Sequence, residues 1–513
     1  MTVVRRDVWT LTNQTTPWDP ITRAYARAVK TMQARPATDP TSWTFQAAIH
    51  GSYAPPPQGA LWNECQHASW YFLPWHRMYL YYFERIVRAA VKENGDDYAE
   101  LNGVPFALPY WNYDKLTPAN TLPMPFRPAT ALPPGMTSNP LNPGPGRRRS
   151  SINSGAQMSP LITSPAAAMA LTTFSGPPGA GFGGPESEPT QFNGGPGALE
   201  QTPHNVIHVQ VGGNNQPPCL AGLMIDPGCA ALDPIFWLHH SNIDRLWNNW
   251  IALGGGRANP TDTAWLNQTF TLYDETGTEV TLTCAEVLDT ATQLDYVYDD
   301  EPTELGGRMP SPPPSQESAR RPPRPPQLVA ATDEPVTLVG QPASVTLSVP
   351  ASTRERVARE SVSAAAAASG GQSAIYLNVE DIDAPKNPGV VYGVFLNVPG
   401  GAGAAAAGAA GGGREAGRAE ARAKYHVGNI TLFGIEAVNN PDAERHGTPG
   451  LRHTFDITKV AAELSNAGNW NPDAIEVTFE PITPIDEGAQ ESAALGGETA
   501  TPVKIGRVSL FMA

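Results

Sequence analysis

The chain has 513 residues, 41% of them hydrophobic, which is long enough for two or more domains and at least one large core. Its 53 Pro and 48 Gly together make about a fifth of the residues, against a usual share of roughly 12%, so part of it must be loop or linker. Lys plus Arg number 34 against 49 Asp plus Glu, and the net charge of −15 argues against nucleic acid or an anionic membrane as the main partner. No apolar stretch is long enough for a membrane span, and Met1 to Leu11 lacks the apolar core of a secretory signal, so a soluble cytoplasmic enzyme is the expectation. Cys65, Cys219, Cys229 and Cys284 are too few and too scattered for a disulfide framework. A Cys219–Cys229 bridge is allowed, but nothing in the sequence supports it.

Residues 1 to about 120 read as helical, with apolar periodicity over Thr22 to Met32 and a long aromatic run from Pro74 to Val91. From 121 to about 195 the chain is dense in Pro, Gly and Ser, which suits an irregular excursion, with Arg147 to Arg149 as a brief basic run. A helical pattern resumes near Pro203 and continues from Asp233 to Leu253. Gly306-Gly307, Pro312 to Pro314 and Arg320 to Pro326 then favour extended, solvated backbone. Beyond them the period changes to two, at Ile375, Leu377 and Val379, at Ile475, Val477 and Phe479, and from Val503 to Phe511, which means strands and a sandwich. Ala364 to Ala368 and Gly400 to Gly413 read as low-complexity loops. The expected division is a mainly α-helical domain over 1–305, a Pro-rich linker over 306–335 and a β-sandwich over 336–513, a multidomain α+β chain.

Seven of the ten histidines lie before residue 241. His67 and His76, nine apart, would face opposite sides of one continuous helix, so they converge only if the chain breaks between them, and Pro74 supplies the break at the first turn of a new helix, Trp75 to Arg88. His204 and His208 stack on one helical face at i, i+4. Asp233 is a plausible N-cap with Pro234 behind it, after which His240 and Asp244 share a face. A metal-bound imidazole hands its other N–H to an acceptor, so His240 is favoured as a ligand with Asp244 as that acceptor, and His239 is packed or hydrogen-bonded away from the metal. Two triads of neutral imidazole remain: His50, His67 and His76, and His204, His208 and His240. All-imidazole sets suit copper or zinc, and a zinc protease would need a Glu where Asn205 stands.

The residues resemble the tyrosinase and polyphenol oxidase family of type-3 copper proteins. One signature of that family is met by His67, Phe72, Trp75, His76, Arg77 and Glu84, a second by Asp233, Pro234, Phe236, His240 and Asp244. Leu108 to Asn112 resembles the family's Pro-Tyr-Trp stretch, and Val394 to Pro399, Phe455 to Thr458 and Val503 to Gly506 resemble its C-terminal shielding domain. The resemblance implies a helical bundle holding two copper ions, one on each triad, that uses O2 to hydroxylate small phenols and oxidise o-diphenols to o-quinones. Glu200 and Asn205 correspond to residues that hold a deprotonating water, although Glu200 also reads as a cap of the helix carrying His204. Cys65 corresponds to a cysteine that forms a thioether to His67 in some members, and also reads as an ordinary buried thiol. Val209 is implied at the substrate entrance. A side chain of the C-terminal domain, with Tyr425 as the candidate, is implied to enter the site and keep the enzyme latent; the other reading is a domain that stabilises or oligomerises the chain. His426, His446 and His453 read as non-ligands. The competing functions are a catechol oxidase, an o-aminophenol oxidase and a haemocyanin-like O2 carrier; no nucleic-acid or membrane partner is expected, and a homo-oligomer is compatible.

Overall fold

The computed structural model describes residues 2–12, 17–96, 101, 103–115, 118–176, 181–189, 195–212, 219, 222–300, 326–357, 374–399, 422–439, 450–482 and 501–512. Helices in the first part are α1 (Val8–Leu11), α2 (Pro20–Ala34), α3 (Trp43–His50), α4 (Phe72–Glu93), α5 (Ser150–Ser154), α6 (Pro160–Thr163), α7 (Ala166–Ala170), α8 (Val206–Val211), α9 (Pro234–Ala252) and α10 (Thr263–Asn267). α2 and α9 start at aspartate caps. Asp19 caps α2 by accepting the Ile21 amide at 2.8 Å, and Ile21, Ala24, Tyr25, Ala28, Val29 and Met32 then recur at helical spacing and are buried. Asp233 does the same for α9 through Ile235, at 3.1 Å. α4 begins at Phe72, three residues before the expected Trp75, and Pro74 sits in its first turn, where the missing N–H is not required. The break between His67 and His76 therefore falls before Pro74. Ala68 makes it, with φ +53, a left-handed conformation uncommon for alanine.

Among its described residues, the irregular stretch after residue 121 carries short turns and helices, and parts of it are buried. Phe174 and Phe182 are buried in the helical core, and Arg148 of the basic run is wholly buried against Asp233. Strand β1 (Val3–Arg5) pairs in parallel with β4 (Tyr296–Tyr298), closing the helical part near its two ends, and β2 (Thr269–Tyr273) and β3 (Glu279–Thr283) form a hairpin.

The last part is built from strands. β7 (Ala343–Leu347), β9 (Val391–Leu396), β10 (His426–Ile430) and β12 (Ile475–Ile482) form one sheet in the order β10-β9-β12-β7. β5 (Gln327–Ala331), β8 (Ile375–Asp383), β11 (Leu451–Asp456) and β13 (Val503–Met512) form the other, ordered β11-β8-β13-β5, with β6 (Val336–Leu338) also on β13. The inward residues of both sheets, such as Leu377, Val379, Val394, Val477 and Ile505, belong to one apolar cluster. β5 corrects the expected linker, because Gln327–Ala331 lies inside 306–335 and pairs with β13. The reason is compositional: Val329 and Ala330 are buried, and the proline-rich run stops at Pro326. Residues 301–325, the Ala364–Ala368 and Gly400–Gly413 tracts and His446 lie outside the described residues.

The sheet part is seated on the helical part. Val391 and Phe433 join the helical core cluster. Across the seam, Arg149 Nη2 donates to Gly389 O at 2.9 Å, Gln210 Nε2 to Ile482 O at 3.1 Å and Asn429 Nδ2 to Leu161 O at 2.8 Å. Among the described residues, no helix is long and apolar enough to cross a membrane.

Candidate metal centre

Four helical segments converge on one buried volume. α3 ends on His50, α4 presents His76 from its first turns, a short turn before α8 carries His204 with His208 on α8 itself, and α9 brings His240. His67 comes from the chain just before α4. The nitrogens of His50, His67 and His76 gather within 4.8 Å of one another, and so do those of His204, His208, His239 and His240. The Nε2 atoms of His204 and His208 lie 3.3 and 3.4 Å from Nε2 of His240. The two groups adjoin, since the His76 and His240 rings stack at 4.5 Å. Each predicted triad is thus assembled in space from residues far apart in sequence.

The outward nitrogens explain why the rings point this way. Nδ1–H donates to Pro227 O from His50 at 3.0 Å, to Phe72 O from His76 at 2.8 Å, to Met224 O from His208 at 2.6 Å and to Asn205 Oδ1 from His204 at 2.8 Å. A carbonyl oxygen only accepts, so each of these rings carries its proton on Nδ1 and offers the lone pair of Nε2 inward. Nε2 of His50 and of His76 is buried with no hydrogen-bond partner among the described residues. Unpaired buried nitrogens cost stability unless something accepts them, and an all-imidazole set that leaves lone pairs facing one point suits copper or zinc. Burial holds the imidazoles neutral: His50 is lowered to about 4, and His67, His76, His204, His208 and His240 lie well below the usual histidine range, with neighbouring imidazoles adding to the effect.

Several expected contacts differ. Asp244 does not accept from His240, whose Nδ1 has no hydrogen-bond partner among the described residues. Asp244 instead accepts from Arg77 Nε at 2.5 Å and from the hydroxyls of Tyr296 and Tyr298, each at 2.6 Å. One helical turn brings Asp244 to the face of His240, but the stronger partner there is the buried guanidinium that follows His76. The pair ties α4 to α9 directly behind two predicted ligands. His239, expected away from the metal, is held by the Tyr113 hydroxyl at 3.2 Å and yet lies within the second cluster. Glu200 does not cap the His204 helix. Both its carboxylate oxygens face the Ala68 amide, at 2.8 and 3.0 Å, so it satisfies the turn beside His67. Burial pushes its carboxyl up to about 8 despite the Ala68 and Gly197 amides, which pull it down. Cys65 is buried with Sγ 3.4 Å from His67 Nδ1. Val209 is fully buried, and α8 is packed against β9. His426 and His453 are engaged elsewhere, with Asn429 Oδ1 and Thr431 O.

Among the described residues, the sheet part reaches the histidines through Phe433. Its ring stacks on His208 at 4.5 Å and lies 5.7 and 5.8 Å from His67 and His204. Tyr425, the expected candidate, is instead in the core of the sheet part. Sequence reading missed Phe433, although Gly434 behind it, with φ +83, is the turn signal that would have drawn attention to it.

The family described as "Common central domain of tyrosinase" matches residues 40–253, and the "Polyphenol oxidase middle domain" matches 259–311. A domain of unknown function (DUF7868) matches 325–513. A tyrosinase of Hahella sp. is 32% identical over 99% of this chain and 98% of its own length. The chain belongs to the tyrosinase family. That makes it an enzyme of a copper-bearing phenol oxidase family, whose two histidine clusters are of a composition suited to copper. Chloroplastic polyphenol oxidase of Malus domestica is 34% identical over 54% of the chain, which spans 46% of that plant enzyme's length. The fold is that of latent apple tyrosinase, with a TM-score of 0.59 at 23% identity over 100% of this chain and 97% of the other. Latent aurone synthase has the same fold, with a TM-score of 0.61 at 20% identity over 100% and 89%.

Proposed function

We propose that the chain is a tyrosinase that hydroxylates monophenols and oxidises o-diphenols to o-quinones with O2, using two copper ions. His50, His67 and His76 would hold one ion, and His204, His208 and His240 the other. The observation that carries this reading is the convergence of inward Nε2 atoms whose rings are locked from behind by carbonyl oxygens. When bound, the copper pair supplies the redox chemistry with O2, and the protein supplies spacing and orientation. The Arg77–Asp244 pair holds the two ligand-bearing helices at a fixed separation.

A phenol with a pKa near ~10 is protonated at neutral pH, so hydroxylation needs a base close to the site. Glu200, pushed up to about 8, has the strength for that task, and it opens the same short segment that Asn205 closes and that carries His204. Cys65 Sγ stands 3.4 Å from His67 Nδ1, beside the ring that a thioether would fix in orientation. Phe433 fills the approach to the clusters and keeps the enzyme latent, with Val209 lining the path once the sheet part moves away.

Oxygen uptake with a monophenol and its matching diphenol, before and after mild proteolysis, tests the reading. Uptake with both after proteolysis is expected. A second reading, a catechol oxidase, draws support from the Glu200 carboxylate, which is already engaged by Ala68; consumption of diphenol alone would favour it.

A further inference from the structure

The carbonyls that orient His50 and His208 come from one short segment. Met224 O receives Nδ1–H of His208 at 2.6 Å, and Pro227 O receives that of His50 at 3.0 Å. One predicted ligand of each cluster is therefore aimed by the same few residues. That segment belongs to no helix or strand from Leu223 to Cys229 and has no regular ladder to hold it. It is closed by a disulfide between Cys219 and Cys229, ten residues apart.

The segment is also pressed onto its targets. The Asp226 amide donates to Leu223 O at 3.1 Å and the Cys229 amide to Asp226 O at 2.9 Å, while the Asp226 carboxylate accepts from the Tyr53 hydroxyl at 3.0 Å. A Cβ at Gly51, the residue after His50, would lie 2.4 Å from Pro227 O, so only glycine permits this approach. Both cysteines are buried in a small apolar cluster with Leu223.

We propose that the Cys219–Cys229 disulfide is a positioning element of the copper site: by fixing the Met224 and Pro227 carbonyls it sets the orientation of His208 and His50, one ligand of each copper ion. The proposal rests on the reading of the two triads as copper sites. Loss of such an outer partner typically costs 10–100-fold in metal affinity.

The test compares copper release to a chelator from copper-loaded wild type, Cys219→Ala/Cys229→Ala and Gly51→Ala, with hydrogen exchange of the segment followed in the metal-free proteins. The cysteine variant is expected to release copper from both sites on the order of 10–100-fold faster and to exchange faster between Leu223 and Cys229. Gly51→Ala, with the bridge intact, is expected to speed release from the His50 site alone, giving two resolved phases. It serves as the test if the cysteine variant does not fold. Wild-type release rates from both sites in either folded variant would overturn the proposal. A wild type that takes up no copper would instead overturn the copper reading on which it stands.

Discussion

Asp244 separates what a spacing can say from what a partner decides. The i, i+4 relation to His240 is real, but a carboxylate one turn along a helix goes to the strongest donor within reach, and Arg77 and Arg5 are both buried beside it. Removing it leaves buried guanidinium charge unpaired, so Asp244→Ala is expected to cost about 3–5 kcal/mol of stability, read from the denaturant midpoint of the metal-free protein. Had Asp244 served only the His240 imidazole, metal affinity would fall while that midpoint stayed near wild type. The Glu200 carboxyl is pushed up to about 8, and a base acts only when deprotonated, so monophenol hydroxylation should rise with pH toward about 8. Glu200→Gln should flatten that limb while diphenol oxidation keeps its profile; a parallel change in both rates would mean that Glu200 serves the Ala68 turn alone.

At the level of elements, the motifs that carry ligands were legible because each is local: an N-cap followed by Pro at α9, a proline in the first turn of α4, an i, i+4 pair around α8. The strands were legible through period two. What was not legible is every contact made by a carbonyl or by a distant side chain, since Met224 O, Pro227 O and Phe433 leave no residue-type signature at the histidines they serve. Phe433 follows β10, two residues after Thr431, whose carbonyl accepts from the buried His453 ring. Phe433→Ala should raise diphenol oxidation by the intact, copper-loaded chain to the level of proteolysed wild type; an unchanged rate would show that another group blocks the approach. His453 is lowered to about 4 by burial, against about 6.5 in the unfolded chain. Between those values the unfolded state binds more protons, so stability from the neutral ring is intact above about 6.5 and is lost as pH falls toward 4. Thermal melting of wild type and His453→Gln across that window should converge at the acid end if this ring is the cause.

For the whole molecule, a helical part holds the reactive groups and a sheet part covers them, and the seam between the two is where sequence reading was weakest. Composition predicted a linker, but β5 begins at Gln327, inside it, and the covering residue was assigned to Tyr425 rather than Phe433. Both misses concern packing between distant parts of the chain, which neither periodicity nor local motifs encode. Whether the six histidines hold a copper pair that oxidises phenols is read from oxygen uptake by the copper-loaded chain after mild proteolysis, with wild type and His240→Ala compared on a monophenol and its matching diphenol. Uptake with both substrates in wild type and none in His240→Ala is expected. A copper-loaded, opened wild type that consumes no oxygen with either substrate would rule out the dicopper phenol oxidase.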